Sequence, residues 1–177
     1  RSEQLVIQRA GPDDLDRVSG IEQVSFPTPW SRSLLAEELA RPGALYLKAS
    51  VGGELVAYVG LWHYAGEGHV CTLAVDPGWR GHGIGEALVI CALEQAAGLG
   101  AEVVALEYRV SNHGAARLYE KLGFAVVGRR PRYYHDTGED AILAACDGLR
   151  SPHGARALVL ARERWEQERE FELAIEL

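Results

Sequence analysis

The sequence predicts an α+β fold: a mixed, mostly antiparallel sheet of seven strands, flanked by about four helices and followed by a C-terminal extension. Three observations carry this expectation. Strand-like segments succeed one another across short glycine turns at Gly52-Gly53 and Ala65-Gly66-Glu67-Gly68, as consecutive antiparallel strands do. They lead into a glycine-spaced loop and a long apolar helix within Leu73 to Val89, LAVDPGWRGHGIGEALV. The remaining strands and helices lack the strict βαβ alternation of a doubly wound sheet.

Leu5 to Arg9 alternates apolar and polar residues, the period of an edge or half-buried strand. Gly11-Pro12-Asp13 breaks it, and Asp13 or Asp14 caps a helix carrying Leu15, Val18 and Ile21 on one side. Phe26-Pro27-Thr28-Pro29-Trp30-Ser31 is a stiff extended loop, because each proline fixes its own φ and restricts the residue before it. It displays Phe26 and Trp30, which suit either packing between helices or substrate contact. Ser31 opens a second short helix through Leu34, Leu35 and Leu39, which ends before Pro42-Gly43. Ala44 to Val51, Glu54 to Trp62 and His69 to Val75 are the next strands, and the central helix stops at Gly98 or Gly100. Ala101 to Val110 is a buried strand on which Val103, Ala105 and Glu107 point one way and Val104, Leu106 and Tyr108 the other.

Asn112 or Ser111 caps a helix with Ala115, Leu118, Tyr119 and Leu122 on one face, and Gly123 ends it. Phe124 to Gly128 and Glu139 to Cys146 complete the seven strands, separated by an exposed basic and aromatic loop from Arg129 to Gly138. Beyond Asp147 the character changes, which places a domain at 1–147 and an extension at 148–177. Gly148 to Gly154 reads as a linker, and Ala155 to Arg169 as a charged helix with Leu158, Ala161 and Trp165 inward. Phe171, Leu173, Ile175 and Leu177 alternate like a strand. This tail either packs back on the domain or pairs with another chain.

Composition bounds the function. With 177 residues, 47% hydrophobic and 24% charged, the chain can bury the core of one ordinary globular domain. A formal net charge of -7 argues against direct nucleic-acid or membrane affinity, since both are usually announced by basic surface. No apolar run reaches the ~18 residues of a membrane span. The chain opens at Arg1 and has no methionine; no signal peptide is visible, and a cytoplasmic location is expected. Cys71, Cys91 and Cys146 are odd in number, widely spaced and set in apolar segments. They read as reduced core residues, not as a disulfide frame or a metal site, and no metal is expected.

Chemistry concentrates in the glycine loop. Gly81, Gly83 and Gly85 remove every second Cβ, so main-chain N–H groups at the start of a helix can approach an anion, most naturally a phosphate or diphosphate. A P-loop needs Gly-Lys-Ser/Thr, and a dinucleotide fingerprint needs glycine where Glu86 or Leu88 stands. The pattern Arg80-x-x-Gly83-x-Gly85, after a strand ending Val-Asp-Pro and before an apolar helix, instead resembles the acyl-coenzyme A loop of the GCN5-related N-acetyltransferase (GNAT) family.

Glu107 is the second concentration, because a carboxylate on an otherwise apolar strand is costly unless paired or used. Burial is expected to raise its base strength toward neutral pH; an ion pair to Arg109 or Arg117 is the structural alternative. Tyr119 lies on an apolar helix face, where a buried hydroxyl needs a partner. Together LAVDPGWRGHGIGEAL, LEYRVSNHGAARLYEKLGF and RYYHDTGEDAIL resemble the RimI-like, ribosomal-protein-alanine branch of the GNAT family, over roughly residues 3 to 147.

The resemblance implies a GNAT fold, acetyl-CoA as acetyl donor, and direct transfer to the N-terminal alanine of a small-subunit ribosomal protein. It makes Glu107 the general base and Tyr119 the general acid. Coenzyme contacts fall on Leu73, Ala74 and Val75, on Arg80, Gly81, His82, Gly83, Ile84, Gly85 and Glu86, and on Asn112. Phe26, Trp30, Tyr133 and Tyr134 form the peptide groove, a backbone N–H near Val75 meets the oxyanion where the family strand bulges, and a monomer or weak dimer is expected. An α-amine, with a pKa of roughly 7.7 to 8.0, is cheaper to deprotonate than a lysine near 10.4, which favours N-terminal acceptors.

The chain departs from that branch in FPTPWS, with two extra residues, in Tyr108, and in the DAILA ending. All three departures bear on the acceptor and not on the donor. The alternatives are an acetyltransferase of small amines or protein lysines, and a silent coenzyme-A-binding module. Glu107 and Tyr119 speak against the silent module.

Overall fold

The computed structural model describes residues 3–177. Strand β1 (Gln4–Arg9) is followed by α1 (Leu15–Ser25), α2 (Arg32–Ala40), β2 (Ala44–Val51), β3 (Glu54–Tyr64), β4 (Glu67–Val75) and α3 (Ile84–Gly98). Then come β5 (Val103–Arg109), α4 (His113–Lys121), β6 (Ala125–Arg130), β7 (Ala141–Cys146), α5 (Pro152–Glu168) and β8 (Glu172–Glu176). The eight strands form one sheet in the order β6-β7-β5-β4-β3-β2-β1-β8. Among the described residues, only β4 with β5 and β1 with β8 pair in parallel. The expected α+β architecture is present, with one strand and one helix more than seven and four, because the tail supplies both.

The tail packs back on its own chain. Ser151 accepts the Gly154 N–H at 3.0 Å and Pro152 occupies the first turn, so α5 starts three residues before Ala155. The segment expected to be a linker is therefore a capped helix start, and Leu149 within it is buried in the core. Leu158, Ala161 and Trp165 join the same core, as their spacing predicts. β8 then pairs with β1 over Gln4↔Glu172 to Gln8↔Glu176 and covers what would otherwise be an open sheet edge.

Two apolar layers flank the sheet. On one face α1 and α2 close over Val18, Ile21, Leu35, Tyr46, Leu55, Tyr58 and Ala74. On the other, α3, α4 and α5 cover the larger cluster, to which the central helix contributes nine buried residues. A helix apolar almost all round is one packed on several sides, and α3 lies between the sheet and α5. No helix among the described residues is long and apolar enough to cross a membrane.

The feature that positions the site is a divergence of two strands. β4 and β5 pair at Glu67↔Val103, Gly68↔Val104 and His69↔Ala105 only. Beyond those positions β4 runs on to Val75 beside β3 alone, and β5 runs on to Arg109 beside β7 alone. The strands open like a V, and one edge of β4 is left facing the gap.

Candidate active site

The gap is a cavity of about 570 Å³. Its walls come from β4 (Val70 to Leu73), β5 (Leu106 to Arg109), α4 with its cap (Asn112, Ala115, Tyr119), the loop after α1 (Phe26 to Trp30) and the loop after β6 (Tyr133 to Asp136). Of the residues singled out in the sequence, the structure gathers Phe26, Trp30, Leu73, Glu107, Asn112, Tyr119, Tyr133 and Tyr134 into this one cavity. Arg80 to Glu86 lie outside its wall, at the turn into α3.

Glu107 reaches the cavity by strand parity. Val104, Leu106 and Tyr108 are buried in the core, so the alternate positions point into the cleft. Its partner is neither Arg109 nor Arg117. Oε2 lies 2.6 Å from Nε2 of His69, on β4 at the root of the divergence. This corrects the expected base strength: burial raises the Glu107 pKa, but the His69 hydrogen bond outweighs burial and holds the carboxyl below its ordinary range. His69 stands behind Glu107 and does not line the cavity. Arg109 instead binds Asp136 through two bonds of 2.9 and 2.7 Å, and its guanidinium covers the Tyr134 ring at 4.1 Å.

Tyr119 is 7% exposed, with its ring 5.9 Å from Tyr108 and 5.4 Å from Phe124. Burial, and then nearby Tyr134, raises its pKa, with no hydrogen bond contributing. The phenol is therefore neutral, and among the described residues it has no hydrogen-bond acceptor. The Asn112 Oδ1 accepts the Ala115 N–H at 3.0 Å and caps α4, leaving its amide N–H₂ for a ligand.

Among the cavity residues that escaped the sequence are Glu22 and Asp136, and Cys71 was read there as core alone. Glu22 is 3% exposed; it accepts the Tyr58 hydroxyl and, at 3.0 Å, the Trp30 N–H, which fixes the proline loop. Asp136 ties the second loop to the first through Thr28 at 3.2 Å. Cys71 lines the cavity as well as packing, and burial pushes its thiol up to about 12, far from a nucleophilic thiolate. Phe26 and Trp30 pack on the α1/α2 core, as one reading has it, and also line the cavity.

The glycine loop has the backbone its spacing implies. Gly81 and Gly83 sit at φ +85° and +80°, in the left-handed region, and Gly83 is the N-cap of α3. Arg80 Nε donates to the Val75 carbonyl at 3.1 Å, tying the loop to the free edge of β4. A Cβ on Gly85 would make only ordinary contacts, with Val75 at 3.6 Å and Leu73 at 3.9 Å. Ala74 faces the α1/α2 core, and only its main chain can meet a ligand in the cleft. Glu86 is 5% exposed, and its carboxylate is bound to Lys121 at 3.1 Å and Arg169 at 3.4 Å. His82 is exposed beside Trp79 and Phe171. The expected strand bulge lies elsewhere than near Val75: the register shifts between Gly60 and Leu61, leaving Cys71 as the extra residue on β4.

A splayed parallel strand pair, a glycine-rich helix start, and a carboxylate and a phenol lining one cavity suit one class: a transferase that takes a phosphate-bearing acyl carrier along the gap. The model of the Acetyltransferase (GNAT) family matches residues 15–124, and the chain belongs to that family. It is 39% identical over 132 residues to a putative [ribosomal protein bS18]-alanine N-acetyltransferase of Bacillus subtilis, covering 74% of this chain and 87% of that one. It is likewise 39% identical over 134 residues to the N-alpha-acetyltransferase RimI of Mycobacterium tuberculosis, covering 72% and 83%. Its fold superposes on the ribosomal-protein-S18-alanine N-acetyltransferase of Escherichia coli with a TM-score of 0.77 and 30% identity, over 82% of this chain and 94% of that one. Acetyl-CoA is the acetyl donor, and the loop and cavity fit it: left-handed glycines at a helix start, whose first N–H groups suit phosphates, and a cavity lined by Glu107 and Tyr119.

Proposed function

We propose that the protein acetylates the α-amine of an extended polypeptide N-terminus, alanine at its head, with a small-subunit ribosomal protein as acceptor. The observation that carries this reading is one cavity lined by Glu107 and Tyr119 together with two aromatic loops, Phe26 to Trp30 and Tyr133 to Asp136. Relatives named for N-terminal alanine acetylation support the acceptor.

Acetyl-CoA supplies a thioester carbonyl carbon as electrophile and a thiolate as leaving group. Glu107 receives the amine. An α-ammonium with a pKa near 7.7 to 8.0 costs only about 1 kcal/mol to deprotonate at pH 7, so the neutral amine can enter without a strong base. Once nitrogen bonds to carbon it becomes cationic and far more acidic, and a carboxylate kept ionised by His69 is the acceptor suited to that proton. His69 acts through Glu107, aiming its Oε2, and is a positioning residue. Unpaired main-chain N–H groups on the free edge of β4 face the oxygen that gains charge. Tyr119, neutral and uncommitted, donates its O–H toward the departing sulfur.

Incubation of the protein and acetyl-CoA with a panel of peptides, followed by mass spectrometry, tests the reading. Acetylation confined to N-terminal amines, with alanine first and lysine side chains untouched, is expected, and Glu107→Gln abolishes most turnover while acetyl-CoA still binds. Acetylation of internal lysine alone, or equal loss of binding and turnover in Glu107→Gln, would overturn it.

A further inference from the structure

The family model ends at residue 124, yet residues from the far end of the chain touch the coenzyme loop at three points. Trp165 is 1% exposed, and its indole N–H donates to the Gly83 carbonyl at 2.7 Å. The same oxygen accepts the Ala87 N–H at 3.1 Å, the first hydrogen bond of α3. Arg169 lies on the face of Gly83 where a side chain would be: its Cζ would stand 2.8 Å from a Cβ there. Phe171 packs 6.3 Å from both Trp79 and His82, at the front of the loop.

We propose that Trp165 and Arg169 are positioning residues for coenzyme binding: the C-terminal segment clamps the loop in the shape that takes the diphosphate of acetyl-CoA. The proposal rests on the reading that the 80–86 loop holds the coenzyme. Two donors on one carbonyl fix the Gly83–Ile84 peptide plane, and in a planar trans peptide the N–H points opposite to the C=O. The Ile84 N–H is thereby held outward from the helix start, among the first-turn donors that lack partners.

Arg169 acts through charge as well. A carboxylate in the first turn of α3 competes with a phosphate for the same donors and the same field. Glu86 is such a carboxylate, and Arg169 and Lys121 both bind its Oε1; Glu168, half exposed, lies 3.7 Å from Lys121 at the outer side. Glu86 Oε2 and Arg169 Nε are buried without a hydrogen-bond partner among the described residues, so the cluster depends on the seat of the tail and not on a complete network of its own.

Calorimetry of acetyl-CoA binding, with steady-state kinetics, on the full chain provides the test. Trp165→Phe keeps the ring and removes the N–H, and about fivefold weaker acetyl-CoA binding is expected from one lost hydrogen bond. The KM for acetyl-CoA rises in step, while kcat and the peptide KM hold. Arg169→Gln gives a comparable loss and Arg169→Lys recovers part of it. Wild-type affinity in both Trp165→Phe and Arg169→Gln, or a proportional fall in kcat, peptide affinity and melting temperature, would overturn the clamp. If Trp165→Phe does not fold, Arg169→Gln decides alone, because that side chain is 30% exposed. Gly85→Asp, whose Cβ would make only ordinary contacts, separates the two readings: undiminished binding there refutes the loop assignment itself, whatever the tail variants do.

Discussion

At the scale of single residues, two opposed influences meet on Glu107. Burial favours its protonated form, while the 2.6 Å bond from His69 favours the carboxylate and prevails. Replacing the imidazole by an apolar group removes the chief favourable influence and leaves burial, opposed only by the weaker attraction of Arg130. Carboxyl-carbon NMR titration of His69→Leu is therefore expected to show the Glu107 pKa moving up from below its ordinary value to above it; an unmoved pKa would mean that the bond does not control the carboxylate. The sign for stability follows. A depressed folded-state pKa contributes stability above the ordinary carboxylate range that is lost as pH falls through the folded value, so the variant forfeits that contribution at neutral pH. Tyr119 is the second test. Tyr119→Phe keeps the packing against Tyr108 and Phe124 and removes the donor, and a fall in kcat of about 10²-fold with little change in KM is expected. An unaltered kcat would return Tyr119 to the core.

Among the elements, the loop between α1 and α2 depends on a residue outside it. Glu22 at the end of α1 accepts the Trp30 N–H and the Tyr58 hydroxyl in a buried setting. Glu22→Ala strands the buried Tyr58 hydroxyl, at a cost of about 1 to 3 kcal/mol when unsatisfied, and frees the half-buried Trp30 N–H. Faster amide exchange over 26–30 and a higher KM for the peptide are expected, with the KM for acetyl-CoA unchanged; a rise in both constants would place Glu22 in general stability instead. This dependence also shows what could be read from the chain. Period and parity are local, so the strand that aims Glu107, the helix face of Tyr119 and the glycine loop were all legible. Partners set by tertiary register were not. His69 is 38 positions from Glu107 and Glu22 is 36 from Tyr58, and no local pattern announces either pair. The proline loop was readable as stiff, but its role stayed double because packing and cavity lining use the same rings.

For the whole molecule, the question is whether the GNAT core stands without its last thirty residues. Alternation in Phe171 to Leu177 was visible, but not which strand it would join, since a parallel partner at the opposite end of the chain leaves no local trace. In the structure β8 seals the β1 edge, and Leu149, Leu158, Ala161 and Trp165 are part of the main core. Removing large buried side chains costs about 2 to 5 kcal/mol each, and three of these four are large. Their sum, on the order of 10 kcal/mol, equals the whole stability of a typical domain, about 5 to 15 kcal/mol. A chain ending at Asp147 is therefore expected to lose cooperative thermal unfolding and near-ultraviolet dichroism. It should also expose the β1 edge to self-association, visible as a shift to large species in sedimentation. Restoring residues 148–168 without β8 separates the two contributions. If the apolar helix matters most, cooperative unfolding returns at a lower midpoint while the edge still associates; a monomeric, fully stable 1–147 fragment would show that the tail is dispensable for folding.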